Sequence, residues 1–324
     1  MFPASRVSVI IPFSKPDVAA VALEKLTQQT YPAHLTEIIL VGQGSSELAR
    51  RWSVQAIETD PIYYPGEARN IGAYAASGEY FLFLDDDCEP APDWIEQCMQ
   101  ELQQPKIGAV GGQIKGKSHA FFAQCVDFSS FAFSQVSRRM ETPVCSASLG
   151  VKRSAFEDAQ GFSEQLRSGE DIDFCYRLMK MGYKTVYQPA IKVLHNHRRK
   201  KFSVLMRYSY FYGRVKGLSV KLHHREMSKR NLMLVMLQNP LLYFLMILPV
   251  SLGITSTIVR LNAREYPRVL LYAPFIFLSK VAYHCGIWQW IMKGTPEVPA
   301  SFKKPENRER EAVRDYDEGL VVKL

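Results

Sequence analysis

Short, largely apolar runs recur along the first third of the chain: Val7–Ile11, Glu37–Val41, Val54–Ile57 and Tyr80–Leu84. Runs of that length read as strands buried on both faces, as in the interior of a parallel sheet. Segments with helical spacing separate them. Asp17–Thr30 puts Val18, Val21, Ala22 and Leu26 on one face and stops at Tyr31-Pro32. Gly42–Ser46 is a tight turn into a short helix, and Gly66–Ala76 is a helix packed by small residues and halted by Gly78. Strands and helices alternating through short loops predict an α/β sheet with right-handed crossovers. Further on, a helix opens at Pro92-Asp93-Trp94 and runs to about Gln103. Ile107–Gly112, Val144–Val151, Lys184–Tyr187 and Ile191–Leu194 read as strands, with a helix between Asp173 and Gly182. Five phenylalanines between 118 and 140 (121, 122, 128, 131 and 133) suggest core packing.

Past Lys201 the pattern changes. No residue from Asn231 to Val259 is charged, and Val269–Met292 carries only Lys280 as a full charge. About 20 apolar residues suffice to cross a bilayer. Two membrane helices joined by the polar connector Arg260–Arg268 are therefore expected, the first kinked by Pro240 and Pro249. Shallow monotopic insertion is the competing reading.

Candidate chemistry begins where Tyr80–Leu84 runs into Asp85-Asp86-Asp87. Acids at a strand's carboxyl end sit where open α/β sheets hold their ligand crevice. Three adjacent carboxylates repel one another, and a divalent cation relieves that cost. On an extended backbone Asp85 and Asp87 would share one side, a spacing suited to Mg²⁺ or Mn²⁺ with a phosphate completing the shell. The competing reading is an exposed acidic turn, with Cys88–Pro92 leaving the sheet. A second cluster, Gly169-Glu170-Asp171-Ile172-Asp173, precedes a helix. There Ser168-x-x-Asp171 fits a capping box, so capping competes with catalysis. His195 and His197, two apart, share one strand face.

The chain has 324 residues, 47% of them apolar, enough for one large α/β domain plus an appendage and too many for wholesale disorder. Net charge is +8, and eleven basic residues lie between Arg198 and Arg230 against one acid, Glu226. Such a belt suggests a polyanionic surface, anionic lipid rather than nucleic acid, for which no module is present. Six scattered cysteines read as reduced and cytosolic. Val7–Ile11 is too short for a signal-peptide core and ends at Pro12. The belt predicts a catalytic part on the cytoplasmic side of an inner or plasma membrane, although Arg260, Arg264 and Arg268 pull against that orientation.

The succession Val7–Pro12, Gln29-Thr30-Tyr31-Pro32, Glu37–Ser45, Ala68–Gly72, Gly78–Asp87, Gly169-Glu170-Asp171 and His195 resembles family 2 of the nucleotide-sugar glycosyltransferases. The resemblance spans roughly residues 5 to 215. It implies a GT-A fold: a mostly parallel, Rossmann-like sheet flanked by helices, here followed by a hydrophobic helical hairpin. Expected units are a catalytic domain (1–200), a basic interfacial segment (201–230), two membrane-associated helices (231–293) and a charged tail (294–324). The implied reaction is an inverting, metal-dependent transfer of one sugar from a nucleotide diphosphate sugar to a glycan or lipid-linked acceptor. By the same resemblance Asp85, Asp87 and His195 lie at the metal. Pro12, Ser14, Gln43, Arg69, Asn70, Asp85 and Asp86 would contact the nucleotide sugar. Asp171 would be the general base, with Glu170 positioning it or the acceptor. Two departures stand out. Val41-Gly42-Gln43-Gly44-Ser45 lacks the family's base-contacting acid, which leaves a UDP-sugar favoured over GDP- or dTDP-sugars only weakly. The QxxRW element of processive enzymes is replaced by Arg207–Arg214, pointing to single additions. A polyprenyl-phosphate sugar transferase and a catalytically silent membrane scaffold are the alternatives.

Overall fold

A computed structural model describes residues 5–13, 16–59, 64–223, 232–294 and 322–323. Strand β1 (Val7–Pro12) lies parallel between β2 (Thr36–Val41) and β4 (Tyr80–Leu84), and β3 (Gln55–Glu58) extends the set. Alternate residues feed opposite layers, as the period of two requires. Val9, Ile11, Leu40, Leu82 and Leu84 join one core, while Ile10, Ile39, Val41, Phe81 and Phe83 join the other. Helices α1 (Pro16–Thr27), α2 (Ser45–Trp52) and α3 (Pro65–Ala75) make the crossovers. The buried side of α1 is Ala19, Ala22, Leu23 and Leu26, which corrects the expected face at Val18 and Val21. Helix α3 lies against β1 because residue 72 is glycine: a Cβ there would sit 2.5 Å from Ile10 Cγ2.

Beyond β4 the sheet becomes mixed. Strand β8 (Ser148–Lys152) runs antiparallel to both β4 and β6 (Ile107–Gly116), and β6 is parallel to β9 (Lys184–His195). Cys88–Pro90, expected to leave the sheet, re-enters it as edge strand β5, antiparallel to β9. An edge tolerates Pro90 because one side of the strand needs no donor. The two strands expected at 184–187 and 191–194 are one strand whose register jumps from Gly112/Gln188 to Gln113/Lys192. With β7 (Met140–Glu141) on β9, and β10 (Val322–Lys323) beside β3, the order is β10-β3-β2-β1-β4-β8-β6-β9-β5. Helices α4 (Trp94–Leu102), α5 (Phe121–Ser130), α6 (Arg153–Asp158) and α7 (Glu170–Lys180) complete this part, α6 having no counterpart in the sequence reading.

The remaining helices are α8 (Phe202–Leu222), α9 (Leu232–Gln238), α10 (Pro240–Asn262) and α11 (Val269–Lys293). Both α10 and α11 are long and apolar enough to cross a membrane. The phenylalanine-rich segment packs against them: Cys125, Val126 and Phe128 of α5 share a core with Leu205, Ile258, Val269, Tyr272 and Ile276. Helices α8 and α11 touch backbone to backbone. A Cβ at Gly213 would stand 1.9 Å from the Tyr283 carbonyl oxygen, and one at Gly286 would stand 2.1 Å from that of Tyr210. On α10, Leu241, Phe244, Leu245, Leu248 and Leu252 are exposed, while Ser251, Thr255 and Asn262 are buried. Most of the 201–230 segment is α8; residues 224–231, Ser14 and nearly all of the 294–324 tail lie outside the described residues.

Candidate active site

The three acids leave β4 in a turn rather than an extended strand. The Asp85 carbonyl accepts from the Cys88 N–H at 3.0 Å, and the Asp85 N–H donates to the Ala147 carbonyl. The expected side-to-side alternation of Asp85, Asp86 and Asp87 therefore does not hold: a closed turn breaks the strand periodicity that predicted it. Asp86 is buried in the turn. Cys88 then pairs with His195, so the β5–β9 ladder carries His195 to Asp87. His195 Nε2 stands 3.2 Å from Asp87 Oδ2. One ligand atom each from Asp87, Cys88 and His195 lie within 4.8 Å of one another. Burial works to raise the Asp87 carboxyl, but the hydrogen bond to His195 and the charges of His195, Arg199 and His197 outweigh it and hold it below the ordinary range.

Asp85 turns the other way, to Arg69. Arg69 Nη2 bonds Asp85 Oδ1 at 2.5 Å and its Nη1 bonds Glu170 Oε1 at 2.9 Å. One buried guanidinium thus ties the first of the three acids to the Gly169–Asp173 cluster, whose Glu170 lies 101 residues beyond Arg69 in sequence. Burial opposes the Arg69 charge, yet Asp85 and Glu170 more than compensate and its pKa is raised. Burial, then the neighbouring Asp171 charge, raises Glu170 despite Arg69.

The capping box is not formed. The N-cap of α7 is Gly169, at φ +84°, with no side-chain cap bond. A left-handed cap leaves the first-turn acids free for other partners. Asp171 accepts from the Ser146 N–H at 3.2 Å and the Ile172 N–H at 2.8 Å. Residues 145–147 lie between the two acidic groups: Ser146 holds Asp171, Ala147 holds Asp85, and the Cys145 thiol, raised chiefly by burial, feels both charges. A hollow of about 260 Å³ lined by Arg6, His34, Glu37 and Gln55 opens at the opposite end of β1 and β2.

The other expected contacts divide. Pro12 ends β1, and Gln43 is exposed just beyond β2, both at the rim that carries the acids. Asn70 is buried. Its Nδ2 donates to the Phe162 carbonyl at 2.9 Å, and its Oδ1 accepts from the Phe162 N–H at 2.8 Å. Both ends of the amide therefore hold the 161–162 turn, a structural part beside its expected place at the sugar. His197 is buried against Asp127 of α5, with Nε2 2.9 Å from Oδ1.

Several neighbours were not picked out from the sequence. Glu58, at the end of β3, accepts from the Gly44 and Ser46 N–H groups and from Ser46 Oγ at 2.7 Å, so a carboxylate from another strand sits at the turn that lacks its own acid. On α8, Tyr208, Tyr212 and Lys216 recur at i, i+4 and i+8 and so share one face. Their rings and charges reach from Arg199 to Glu170 and Asp171. The spacing was visible but submerged in a basic belt that reads as a surface for anionic lipid.

Comparison with known proteins agrees with this arrangement. Residues 8–158 match the sequence profile of glycosyl transferase family 2. A pre-mycofactocin glycosyltransferase of Mycobacterium tuberculosis is 26% identical over 235 residues, 69% of this chain and 49% of its own, so the chain spans about half that relative's length. A dolichyl N-acetyl-alpha-D-glucosaminyl phosphate 3-beta-D-2,3-diacetamido-2,3-dideoxy-beta-D-glucuronosyltransferase of Methanococcus voltae is 23% identical, over 92% of this chain and 99% of its own. Glycosyltransferase AglE of Haloferax volcanii is 27% identical, over 64% and 72%. Among solved structures, a mannosyltransferase from Pyrobaculum calidifontis in complex with GDP-Man and Mn²⁺ superposes with a TM-score of 0.61 at 20% identity, covering 89% of this chain and 87% of its own. The mixed sheet is that of a GT-A fold.

Proposed function

Since the chain is a family 2 glycosyltransferase, we propose that it moves one sugar, with inversion, from a nucleotide diphosphate sugar to a lipid-linked or envelope-glycan acceptor at the cytoplasmic membrane face. The observation that carries this reading is the Arg69 bridge, which joins Asp85 of the acidic turn to Glu170, the neighbour of Asp171. Asp171 takes the proton of the acceptor hydroxyl as its oxygen attacks the anomeric carbon. The bond from that carbon to the diphosphate oxygen breaks on the opposite face, which inverts the configuration.

Asp87 and His195 would hold the divalent cation. Their oxygen and nitrogen donors suit Mg²⁺ or Mn²⁺, whereas the buried Cys88 thiol is a soft ligand poorly matched to either. His195 Nδ1 is buried with no hydrogen-bond partner, on a ring held between Phe131, His197 and Asp87. When bound, the cation would act as a Lewis acid that neutralises charge on the leaving diphosphate. Arg69 keeps Asp85 and Glu170 in fixed relation, and Glu170 in turn lies beside the base.

Membrane association is supported by α10, which turns leucines outward and hydroxyl and amide side chains inward. Only 28% of its apolar window is buried, less than a core helix requires. For the donor, a UDP-sugar and the GDP-Man bound by the Pyrobaculum enzyme are both to be tried. The test is release of nucleoside diphosphate from a panel of nucleotide sugars. Release should need Mg²⁺ or Mn²⁺ and vanish in Asp87→Ala; metal-independent turnover, or full activity in the variant, refutes the reading.

A further inference from the structure

Both ends of the α10–α11 hairpin are fastened to the catalytic part. At the connector, Glu265 accepts from the Ser137 N–H at 3.3 Å and from the Ser137 hydroxyl. The Tyr266 ring stands 5.8 Å from that of Phe128, and the Lys115 ammonium of β6 lies 5.5 Å from its centre. Asn262 Nδ2 donates to the Ala132 carbonyl at 3.3 Å, and Leu261 packs against the core that holds Ile10 and Phe83. The other end reaches the same domain through α8. A Cβ at Gly217 would stand 2.3 Å from the Trp290 ring. Just beyond it on the chain, Ser219 Oγ donates to the Gly169 carbonyl at 3.5 Å, and His223 Nε2 lies 2.8 Å from Asp173 Oδ1 of α7.

Val269 and Trp290 lie about 32 Å apart along α11, roughly the 30 Å thickness of a bilayer's hydrocarbon. A crossing hairpin would carry its connector that far from the catalytic part, to the opposite face. Here the connector sits on the catalytic part. Helix α8 accompanies α11 along this length: Leu205 shares a core with Ile276, Gly213 meets Tyr283 and Gly217 meets Trp290. Arg207 and Arg214 fall within that stretch of α8, and Arg207 is exposed. An upright α11 would draw both through the hydrocarbon, where a charged side chain is costly. The exposed stripe of α10 (Leu241, Phe244, Leu245, Leu248 and Leu252) is also too short to face lipid all the way across. It covers about 17 Å before Thr257 and Arg260 take over the outer face. Basic residues gather at the connector end. Arg260, Arg264 and Arg268 are exposed there, as are Lys200 and Lys201 ahead of α8, whose Phe202 ring lies 6.1 Å from that of Phe275.

We propose that the α10 stripe is a docking surface for a single leaflet of an anionic bilayer. The hairpin lies flat along the catalytic part instead of crossing, with its leucines in the hydrocarbon and its connector arginines among the headgroups on the active-site side. This rests on the reading of the chain as membrane-associated, and it replaces the two crossing helices that length and composition predict. Anionic lipid matches both halves of the surface, acyl chains for the stripe and phosphates for the arginines. The placement also removes a conflict in the charge pattern. Arginines in a connector across the membrane would oppose the basic belt in setting orientation, whereas here both face the same leaflet.

The test uses the full chain in bacterial inner-membrane vesicles of both orientations, probed with a membrane-impermeant maleimide. Arg264→Cys should label from the same side as Glu24→Cys, an exposed site on α1, each measured above the background of the six native cysteines in wild type. Labelling of the two variants from opposite sides refutes the flat placement. A double variant, Leu245→Glu with Leu248→Glu, should weaken sedimentation with phosphatidylglycerol vesicles by about tenfold or more. Both side chains are exposed, so its melting temperature in detergent should stay that of wild type. Undiminished sedimentation of that variant overturns the proposal. Arg264→Gln with Arg268→Gln should weaken binding to phosphatidylglycerol vesicles about fivefold or more and leave binding to phosphatidylcholine vesicles as it was. An equal loss on both lipids contradicts the headgroup contact. Failure of wild type to sediment with any vesicle refutes membrane association itself, which tells that failure apart from a hairpin that crosses.

Discussion

Replacing Gly213 by alanine tests whether α8 and α11 are held at backbone contact. The new Cβ would stand 1.9 Å from the Tyr283 carbonyl oxygen and 2.8 Å from its carbon. Carbon–oxygen contacts settle no closer than about 3.3 Å, so the helices must part by roughly 1.4 Å. The obstacle is main chain, which cannot rotate aside as a side chain would. Overpacking in such places costs about 3 kcal/mol, at the upper end of the usual range. Alanine returns about 1 kcal/mol of helix propensity, leaving a net loss of about 2 kcal/mol. For a chain of 324 residues that lowers the melting temperature by roughly 3 °C. Gly253→Ala on α10 is the control, because nothing lies within 4 Å of its Cβ and only the propensity gain applies. Thermal unfolding in detergent, followed by tryptophan fluorescence, compares the two. A Gly213→Ala protein melting as high as Gly253→Ala would falsify the close packing.

Arg69→Lys keeps the charge but cannot reach both Asp85 and Glu170; losing one charged contact should lower kcat by about tenfold to a hundredfold, and an unchanged kcat would show the bridge to be dispensable. Asn70→Ala should act through stability, by about 1–3 kcal/mol, because two buried backbone groups of Phe162 lose their partner. A selective rise in donor KM at full stability would instead put Asn70 at the sugar. Burial pushes Asp173 up, but its bonds to His223 and Arg177 prevail and hold it below the ordinary carboxylate range. Its folded pKa is thus lower than its unfolded one, so its stabilisation is present above about pH 4 and fades as pH falls through the folded value. The melting-temperature gap between wild type and Asp173→Asn should narrow below that pH; a constant gap contradicts the shift.

The parallel half of the sheet was legible because each strand is a self-contained apolar run. Tyr80–Leu84 needs no distant partner to be recognised. What could not be read were features set by distant contacts. The reversal at β8 depends on residues 118–147 docking on helices more than a hundred residues later. Cys88–Pro90 looked like an exit because Pro90 forbids a central strand, yet an edge position accepts it. Ser168-x-x-Asp171 satisfied the letter of a capping box, but Gly169 takes up the left-handed cap and leaves Asp171 to Ser146. The acids and His195 were found by type and spacing. The second function of Arg69, binding both acidic groups at once, was not, since only the fold reveals which two carboxylates one guanidinium can span.

The core shared by Cys125, Val126, Phe128 and Leu205 with Ile258, Val269, Tyr272 and Ile276 bears on how this enzyme can be handled and how it can evolve. Cutting the chain before α9 would not release a water-soluble catalytic half. It would strip the cover from α5 and from one side of α8, and the fragment should aggregate. For the same reason the hairpin is no interchangeable anchor: a graft onto another transferase would have to bring α5 and α8 with it.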